Sequence, residues 1–298
     1  MPDAKRKQKP PVSISVSIIG AGRLGTALAL ALANKSYSIH SLVARTVANA
    51  RKAAKLLDPV DHAAQVLAAK NLSSLRPADL FLITTPDDQI AHVASELARL
   101  ETTRARAQKP TALHTSGALS AEVLAPLRKR GWSTGSIHPL ISVSGSTTAL
   151  AGAFWSVEGD KTALRVGKTI VRDLGGKSFS IRSEDKPLYH AAAVMSAGNV
   201  VALFDVALEM LMQCGLSRKT ARSILLPLLA STVHNLETKD TAAALTGTFA
   251  RGDIETVKRH LKALKINKDA LQLYRLLGKR SLKLTKDHPQ ITQMLDSV

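Results

Sequence analysis

The chain is short of cysteine and of aromatic residues. Its 298 residues include one cysteine, Cys214, and Phe, Trp and Tyr together make up 3%. A single cysteine excludes an internal disulfide and any cysteine-based metal cluster. It sits in EMLMQCG, an apolar helical run where a thiol serves as packing. The nine histidines show no metal-ligand spacing either, so no metal site is expected. With so few aromatics, a core must be built from Leu, Val, Ile and Ala, and a chain that is 45% hydrophobic and 21% charged has enough of them. No apolar signal-peptide core follows the basic start MPDAKRKQKPP, because a strand pattern begins instead. The uncharged apolar run at residues 188–204 contains His190, Ser196, Gly198 and Asn199 and makes a poor membrane span. These absences predict a cytoplasmic protein with no membrane partner.

Acid is scarce as well. There are 41 Lys and Arg against 23 Asp and Glu, for a formal charge of +18. The excess divides as +3 over residues 1–11, +10 over 12–182 and +5 over 183–298. A charge spread so evenly, without an arginine stripe or aromatics for base stacking, argues against a nucleic-acid partner. It suits a general positive field that attracts anionic cofactors and a small anionic metabolite.

Residues 1–11 are polar and basic and read as a disordered tail. From residue 12 to 182 strand and helix patterns alternate. Strands are expected at 13–19, 40–44, 78–84, 111–114, 133–138, 153–158 and 177–182. Helices are expected at 23–34, 47–57, 88–100, 120–130 and 161–174. Strands separated by helices of this length predict an α/β, doubly wound, mostly parallel sheet of the Rossmann type. From 183 to 298 the β patterns vanish. Helical runs at 186–214, 217–238, 253–264 and 269–286 predict an all-α second domain, with Ser217, Asp253 and Asp269 as N-caps.

The first unit opens with SVSIIGAGRLGTALALALA, in which Gly20, Gly22 and Gly25 form G-x-G-x-x-G between a strand and a helix. In that setting Gly20 permits the tight turn and Gly22 lets the backbone approach a pyrophosphate. Gly25 lets helix and strand pack closely, while the first helical residues, Arg23 and Leu24 among them, bring amides and the helix dipole to the anion. An NAD site would carry an acid at the end of the second strand; here the sequence is SLVARTVANAR, with Arg45 and Thr46. A guanidinium pairs with a 2′-phosphate through two parallel hydrogen bonds and a hydroxyl adds a third, so the expected cofactor is NADP, with Arg51 as a candidate helper. Thr84, Thr85 and Pro86 end the next strand and should border the cofactor. Asp87 or Asp88 reads as the cap of the helix that follows.

His114 in TALHTSGALS and His138 in GSIHPLISV both stand at carboxyl ends of predicted strands, on the crevice side. An imidazole there is a natural proton partner for hydride transfer. The competing reading is a ring that caps loop backbone. Ser116 could position a substrate or order a turn with Gly117. In the helical region Lys186 and His190 share a face, as do Ser196 and Asn199, whereas His190 and Asn199 lie on opposite sides of a regular helix unless it bends near Gly198.

Six stretches together resemble a known family: IIGAGRLG at 18–25, TTPDDQI at 84–90, HTSGAL at 114–119, IHPL at 137–140, YHAAAVMSAGN at 189–199 and LTGTFARGD at 245–253. The family is that of bacterial two-domain proteins joining a Rossmann-like NADP-binding domain to a helical domain of unknown function. Its kin are pyrroline-5-carboxylate reductase, ketopantoate reductase, prephenate dehydrogenase and 6-phosphogluconate dehydrogenase. The resemblance implies a helical domain of the 6-phosphogluconate dehydrogenase C-terminal type that closes a substrate site and forms a homodimer. It implies an NADP-dependent reductase or dehydrogenase acting on a C=O or C=N carbon, with His138 catalytic and His190 and Asn199 orienting substrate. The Lys-x-x-x-Asn pair of related dehydrogenases is not restored in either register. That departure keeps a second expectation open, a noncatalytic NADP-binding sensor or interaction module.

Overall fold

A computed structural model describes residues 14–35, 37–57, 64–100, 109–285 and 288–297. The basic tail, and residue 13 at the start of the first expected strand, lie outside the described residues. The chain forms two compact units, one running to Gly198 and the other beginning at Asn199. The change of texture near 183 therefore comes before the division by compactness, because one more helix, anchored by its buried first residue Lys186, folds with the sheet unit.

The first unit holds an eight-stranded sheet. Its strands are β1 (Ile14–Ile19), β2 (Tyr37–Ala44), β3 (Gln65–Ala68), β4 (Leu80–Ile83), β5 (Thr111–His114), β6 (Ser133–Leu140), β7 (Phe154–Gly159) and β8 (Lys177–Phe179), in the order β3-β2-β1-β4-β5-β6-β7-β8. Strands β1 to β6 are all parallel. β7 runs antiparallel to β6 because residues 141–153 contain no crossover helix to carry the chain back. The helices of this unit are α1 (Arg23–Ala33), α2 (Val47–Leu57), α3 (Asp87–Arg99), α4 (Ala125–Arg128), α5 (Lys161–Asp173) and α6 (Lys186–Ser196).

Strand alternation builds a core on each face. Leu80 and Leu82 join Val16, Ile18, Leu28, Ile39 and Ile170 on the face covered by α1, α2 and α5. Phe81 and Ile83 turn the other way, onto Ile90, Val93 and Leu97 of α3 and Leu127 of α4. A sheet buried on both faces explains the near-continuous apolar runs of its central strands. Strand order reverses between β1 and β4, the place where a doubly wound sheet opens its ligand crevice.

Several expectations shift. The helix expected at 120–130 opens as a 3-10 turn, Ala121–Leu124, and only Ala125–Arg128 is α, restarting where Pro126 fits the first turn. The short edge strand β3 carries only four residues and shows no clear alternation in QVLA. The run at 186–214 is not one helix. Ala197, at φ −125° and ψ −74°, separates α6 from α7 (Gly198–Gln213), one residue before the expected hinge. Residues 183–213 are long and apolar enough by composition to cross a bilayer. The break at Ala197 and the burial of Lys186 against the sheet loops count against that reading.

The second unit contains α7, α8 (Arg218–Thr238), α9 (Thr241–Ala244), α10 (Thr248–Arg251), α11 (Ile254–Ala263), α12 (Lys268–Leu282) and α13 (Pro289–Asp296). Ser217 and Asp253 cap α8 and α11 by accepting from Thr220 N–H and Thr256 N–H. The cap of α12 is Asn267 rather than Asp269, which lies in the first turn. A small core gathers Val257, Leu282, Ile291 and Leu295. The long helix α8 buries only Ala221 and leaves Ile224, Leu228, Val233 and Leu236 exposed.

Candidate functional site

The glycine turn follows β1 directly. The amides of Gly20 and Ala21 both donate to the carbonyl of Val43 on β2, each at 2.8 Å, and Thr84 Oγ1 donates to the Gly20 carbonyl at 2.7 Å. Gly20 has φ +112°, and a Cβ there would lie 2.6 Å from the Thr84 backbone. At Gly25 a Cβ would lie 2.2 Å from the Gly20 carbonyl oxygen, so both positions require glycine on steric grounds. A Cβ on Gly22 meets nothing closer than 3.9 Å, and this exposed residue faces open space. Gly22 is the N-cap of α1; no side chain caps the helix and its first turn carries no acid. The first amides of α1 thus keep their donors for an outside anion. The Leu24 side chain packs on the core.

A cavity of about 1040 Å³ opens at this turn. Gly20, Gly22, Arg23, Arg45, Thr85 and Pro86 line it, joined by Asn49 and Lys52 of α2 and by Lys70. Thr85 Oγ1 is buried in its wall without a partner among the described residues, a polar group held ready for a ligand. Thr46 is not in the wall: its hydroxyl accepts from Asn49 N–H at 3.2 Å and caps the start of α2. Arg51 does not line the cavity, and Lys52 takes the place expected for it. Asn49, Lys52, Ala53 and Leu56 repeat at helical spacing, the signal that could have marked this face in the sequence. An uncapped helix start, two glycines that must be glycines and a basic rim fit a phosphorylated dinucleotide.

A second constellation lies at the neighbouring strand ends of the same unit. His138 Nδ1 is 2.8 Å from Tyr189 Oη, and its ring meets that of His190 edge to face at 5.5 Å. Both imidazoles press on Gly117, where a Cβ would lie 2.4 Å from His190 Nδ1 and 2.9 Å from His138 Nε2. Lys186, 1% exposed, reaches between the loops from α6. Its ammonium donates to Ser136 Oγ at 2.5 Å and to the Ser116 carbonyl at 3.2 Å, with Glu158 4.0 Å away. Glu158 is itself held by Ala121 N–H at 2.9 Å and by the Ser183 hydroxyl at 2.8 Å.

Electrostatics here favour neutral imidazoles. Burial, with the charge of His190 and then of Lys186, lowers His138 to about 4. Burial, then Lys186, lowers His114 to about 3. Burial lowers Lys186 too, while Glu158 and Asp87 pull the other way, and burial raises the Tyr189 phenol.

His114 is the ring that caps loop backbone. Its Nδ1 accepts from Ser116 N–H and its Nε2 faces the Ser120 carbonyl at 3.2 Å, which fixes a neutral tautomer. Ser116 orders the turn: its hydroxyl donates to Asp87 at 2.8 Å and accepts from the amides of Ala118 and Leu119. Asp87 therefore anchors this loop to the one at Thr84–Pro86, and neither Asp87 nor Asp88 caps α3 by its side chain.

His138 and His190 are thus brought together, with Tyr189 and Gly117 added. They do not line the cavity at the glycine turn. Asn199 opens the second unit as an exposed residue. The spacing of Lys186, Tyr189 and His190 at i, i+3 and i+4 carried the signal for this grouping, which the pairing of His190 with Lys186 captured in part. Among the described residues no group of acids, histidines or cysteines is placed to hold a metal.

The class of protein defined by this sheet and turn is a Rossmann-type two-domain chain. Residues 1–139 match the Rossmann-like domain and residues 153–281 match a domain of unknown function, DUF2520, so the chain joins these two domains. No curated protein sequence matches it. Among solved structures it resembles a protein from Bacteroides fragilis provisionally described as an NADP oxidoreductase (22% identity, 91% of this chain and 98% of that one, TM-score 0.73). It also resembles a pyrroline-5-carboxylate reductase from Coxiella burnetii (15%, 92% and 100%, 0.56). A third neighbour is a reductive aminase from Aspergillus terreus solved with NADPH and ethyl-5-oxohexanoate (15%, 96% and 99%, 0.65). At these identities the likeness is one of fold.

Proposed function

We propose that the chain is an NADP-dependent oxidoreductase that moves hydride to or from a C=O or C=N carbon of a small anionic metabolite. The observation that carries this reading is the cavity at the glycine turn, with uncapped α1 amides at one side and Arg45 at its rim. Gly20, Gly22, Gly25 and the amides of Arg23 and Leu24 hold the pyrophosphate. Arg45 takes the 2′-phosphate, with Thr46 fixing the start of α2 beside it. Thr85 and Pro86 form the wall beyond. Bound NADP supplies the hydride chemistry. His138 is the proton partner, and His190 and Asn199 orient the substrate. Neighbours that reduce pyrroline-5-carboxylate or bind NADPH beside an oxo ester support a carbonyl or imine substrate. The exposed apolar side of α8 supports a homodimer through the helical unit.

The separation of the His138 group from the cavity favours a second reading, a noncatalytic NADP-binding sensor or interaction module. Mixing the purified protein with NADPH and a panel of keto acids and cyclic imines, and following NADPH absorbance, separates the two. Turnover of any member supports the enzyme; tight NADPH binding with no turnover across the panel supports the sensor.

A further inference from the structure

We propose that Tyr189 is a positioning residue that holds His138 in one neutral tautomer, with the proton on Nε2 and Nδ1 accepting from the phenol. The proposal rests on the reading of His138 as the proton partner and specifies how it would act: as an uncharged N–H donor to a carbonyl oxygen or imine nitrogen.

The geometry restricts both rings. Tyr189 is clamped edge to face between Phe179, at 5.9 Å, and His138, at 5.6 Å and 86°. Its hydroxyl meets Nδ1 at 2.8 Å, the one hydrogen bond of the His138 ring among the described residues. Among the described residues Nδ1 is the one acceptor that the phenol meets within hydrogen-bond distance, so the phenol proton points at it. The opposite nitrogen, Nε2, packs against Gly117, where a Cβ would lie 2.9 Å from it.

A neutral imidazole carries one proton, so accepting at Nδ1 puts it on Nε2. Burial, followed by the nearby His190 and Lys186, lowers the ring to about 4 and so keeps it uncharged at neutral pH. Because Tyr189 lies on α6, three residues after Lys186 and next to His190, one short helix supplies the group that fixes the tautomer and the two groups that disfavour its protonation.

The test is ¹⁵N NMR of the full-length protein labelled at histidine, at pH 7, with His138 assigned by its loss in His138→Gln. The proposal expects a pyrrole-like Nε2 and a pyridine-like Nδ1 in the wild type. In Tyr189→Phe, which keeps the ring packing, the two nitrogens should move towards averaged shifts. Other histidine signals and NADPH affinity should stay as in the wild type. A wild-type ring protonated on Nδ1, or a Tyr189→Phe spectrum with the tautomer unchanged, overturns the proposal. These readouts do not depend on turnover, so absence of activity on every substrate sinks the enzyme reading while leaving the tautomer decided. Where turnover is found, Tyr189→Phe should lower kcat by about three- to tenfold with KM little changed, the loss of one hydrogen bond. An unaltered kcat overturns the positioning role.

Discussion

Replacing Gly25 with alanine tests the steric logic of the glycine turn. Two effects oppose each other. Alanine in a helix is favoured over glycine by about 1 kcal/mol, and position 25 lies in the first turn of α1. Against that, the new Cβ would sit 2.2 Å from the Gly20 carbonyl oxygen and 2.5 Å from Thr84 Oγ1. Normal non-bonded separations are about 3.5 Å, so the turn must move by roughly 1 Å. The obstacle is backbone, held in place by Thr84 and by the two amides bonded to Val43, and cannot swing aside like a side chain. Overpacking of this kind costs about 1–3 kcal/mol, and each strained hydrogen bond adds about 1 kcal/mol. The clash wins: Gly25→Ala should lower the unfolding free energy by about 1–3 kcal/mol and weaken NADPH at least tenfold as the α1 amides shift. Gly22→Ala is the matched control. Its Cβ would meet nothing within 3.9 Å and its φ of −83° suits alanine, so stability should hold within about 0.5 kcal/mol while NADPH binding falls. Urea unfolding and fluorescence titration measure both. A Gly25→Ala protein as stable as wild type would refute the reasoning.

Three further outcomes follow from the same structure. His114 and His138 titrate lower in the folded state, at about 3 and 4, than in an unfolded chain, at about 6.5. Their contribution to stability is therefore present above pH 6.5 and is lost as pH falls from 6.5 towards 4 for His138 and towards 3 for His114, with a slope of up to about 1.4 kcal/mol per pH unit for each. Urea midpoints from pH 7 to 4.5 should show that slope, and His114→Asn, lacking the titration, should flatten it; equal slopes would refute the assignment. His138→Asn should keep NADPH affinity and reduce turnover of an identified substrate by about 10²–10⁴-fold, the usual share of a positioned acid or base, and stopped-flow kinetics that find an unimpaired rate remove His138 from the reaction. Leu228→Lys combined with Ile224→Lys places charge on the exposed apolar side of α8 and should convert a dimer into a monomer in light-scattering chromatography, whereas a dimer that survives puts the interface elsewhere.

The sheet was legible because its strands are long apolar runs cut by helices at regular intervals, and the glycine turn because sterics leave no choice at Gly20 and Gly25. What escaped was set by tertiary contact. β3 is four residues at a sheet edge, too short for a period to show. The cap of α12 fell to Asn267 because that residue leaves its φ/ψ outside the helix, a distinction that composition alone does not make. At the site, Arg45 could be read from its place after β2, yet Asn49 and Lys52 reach the same cavity only through the orientation of α2. Lys186 read as one of two helix residues facing the same way; its burial beneath Ser116 and Ser136 depends on a loop and a strand separated from it by 70 and 50 residues. His114 and His138 look alike in sequence, each at the end of a strand. The difference between them is that both ring nitrogens of His114 are taken up by loop backbone, whereas among the described residues His138 spends only Nδ1.

The central claim, that this cavity selects a 2′-phosphorylated dinucleotide, is tested most directly by the ratio of NADH to NADPH dissociation constants in the wild type and in Arg45→Ala. A charge-assisted bidentate contact contributes roughly 1.5–3 kcal/mol, or about one to two powers of ten. The wild type should bind NADPH tighter by that factor, and Arg45→Ala should bring the ratio down towards the remainder left by Lys52 and Lys70, with NADH affinity unchanged. Equal affinities in the wild type, or a ratio that Arg45→Ala leaves in place, would contradict the account.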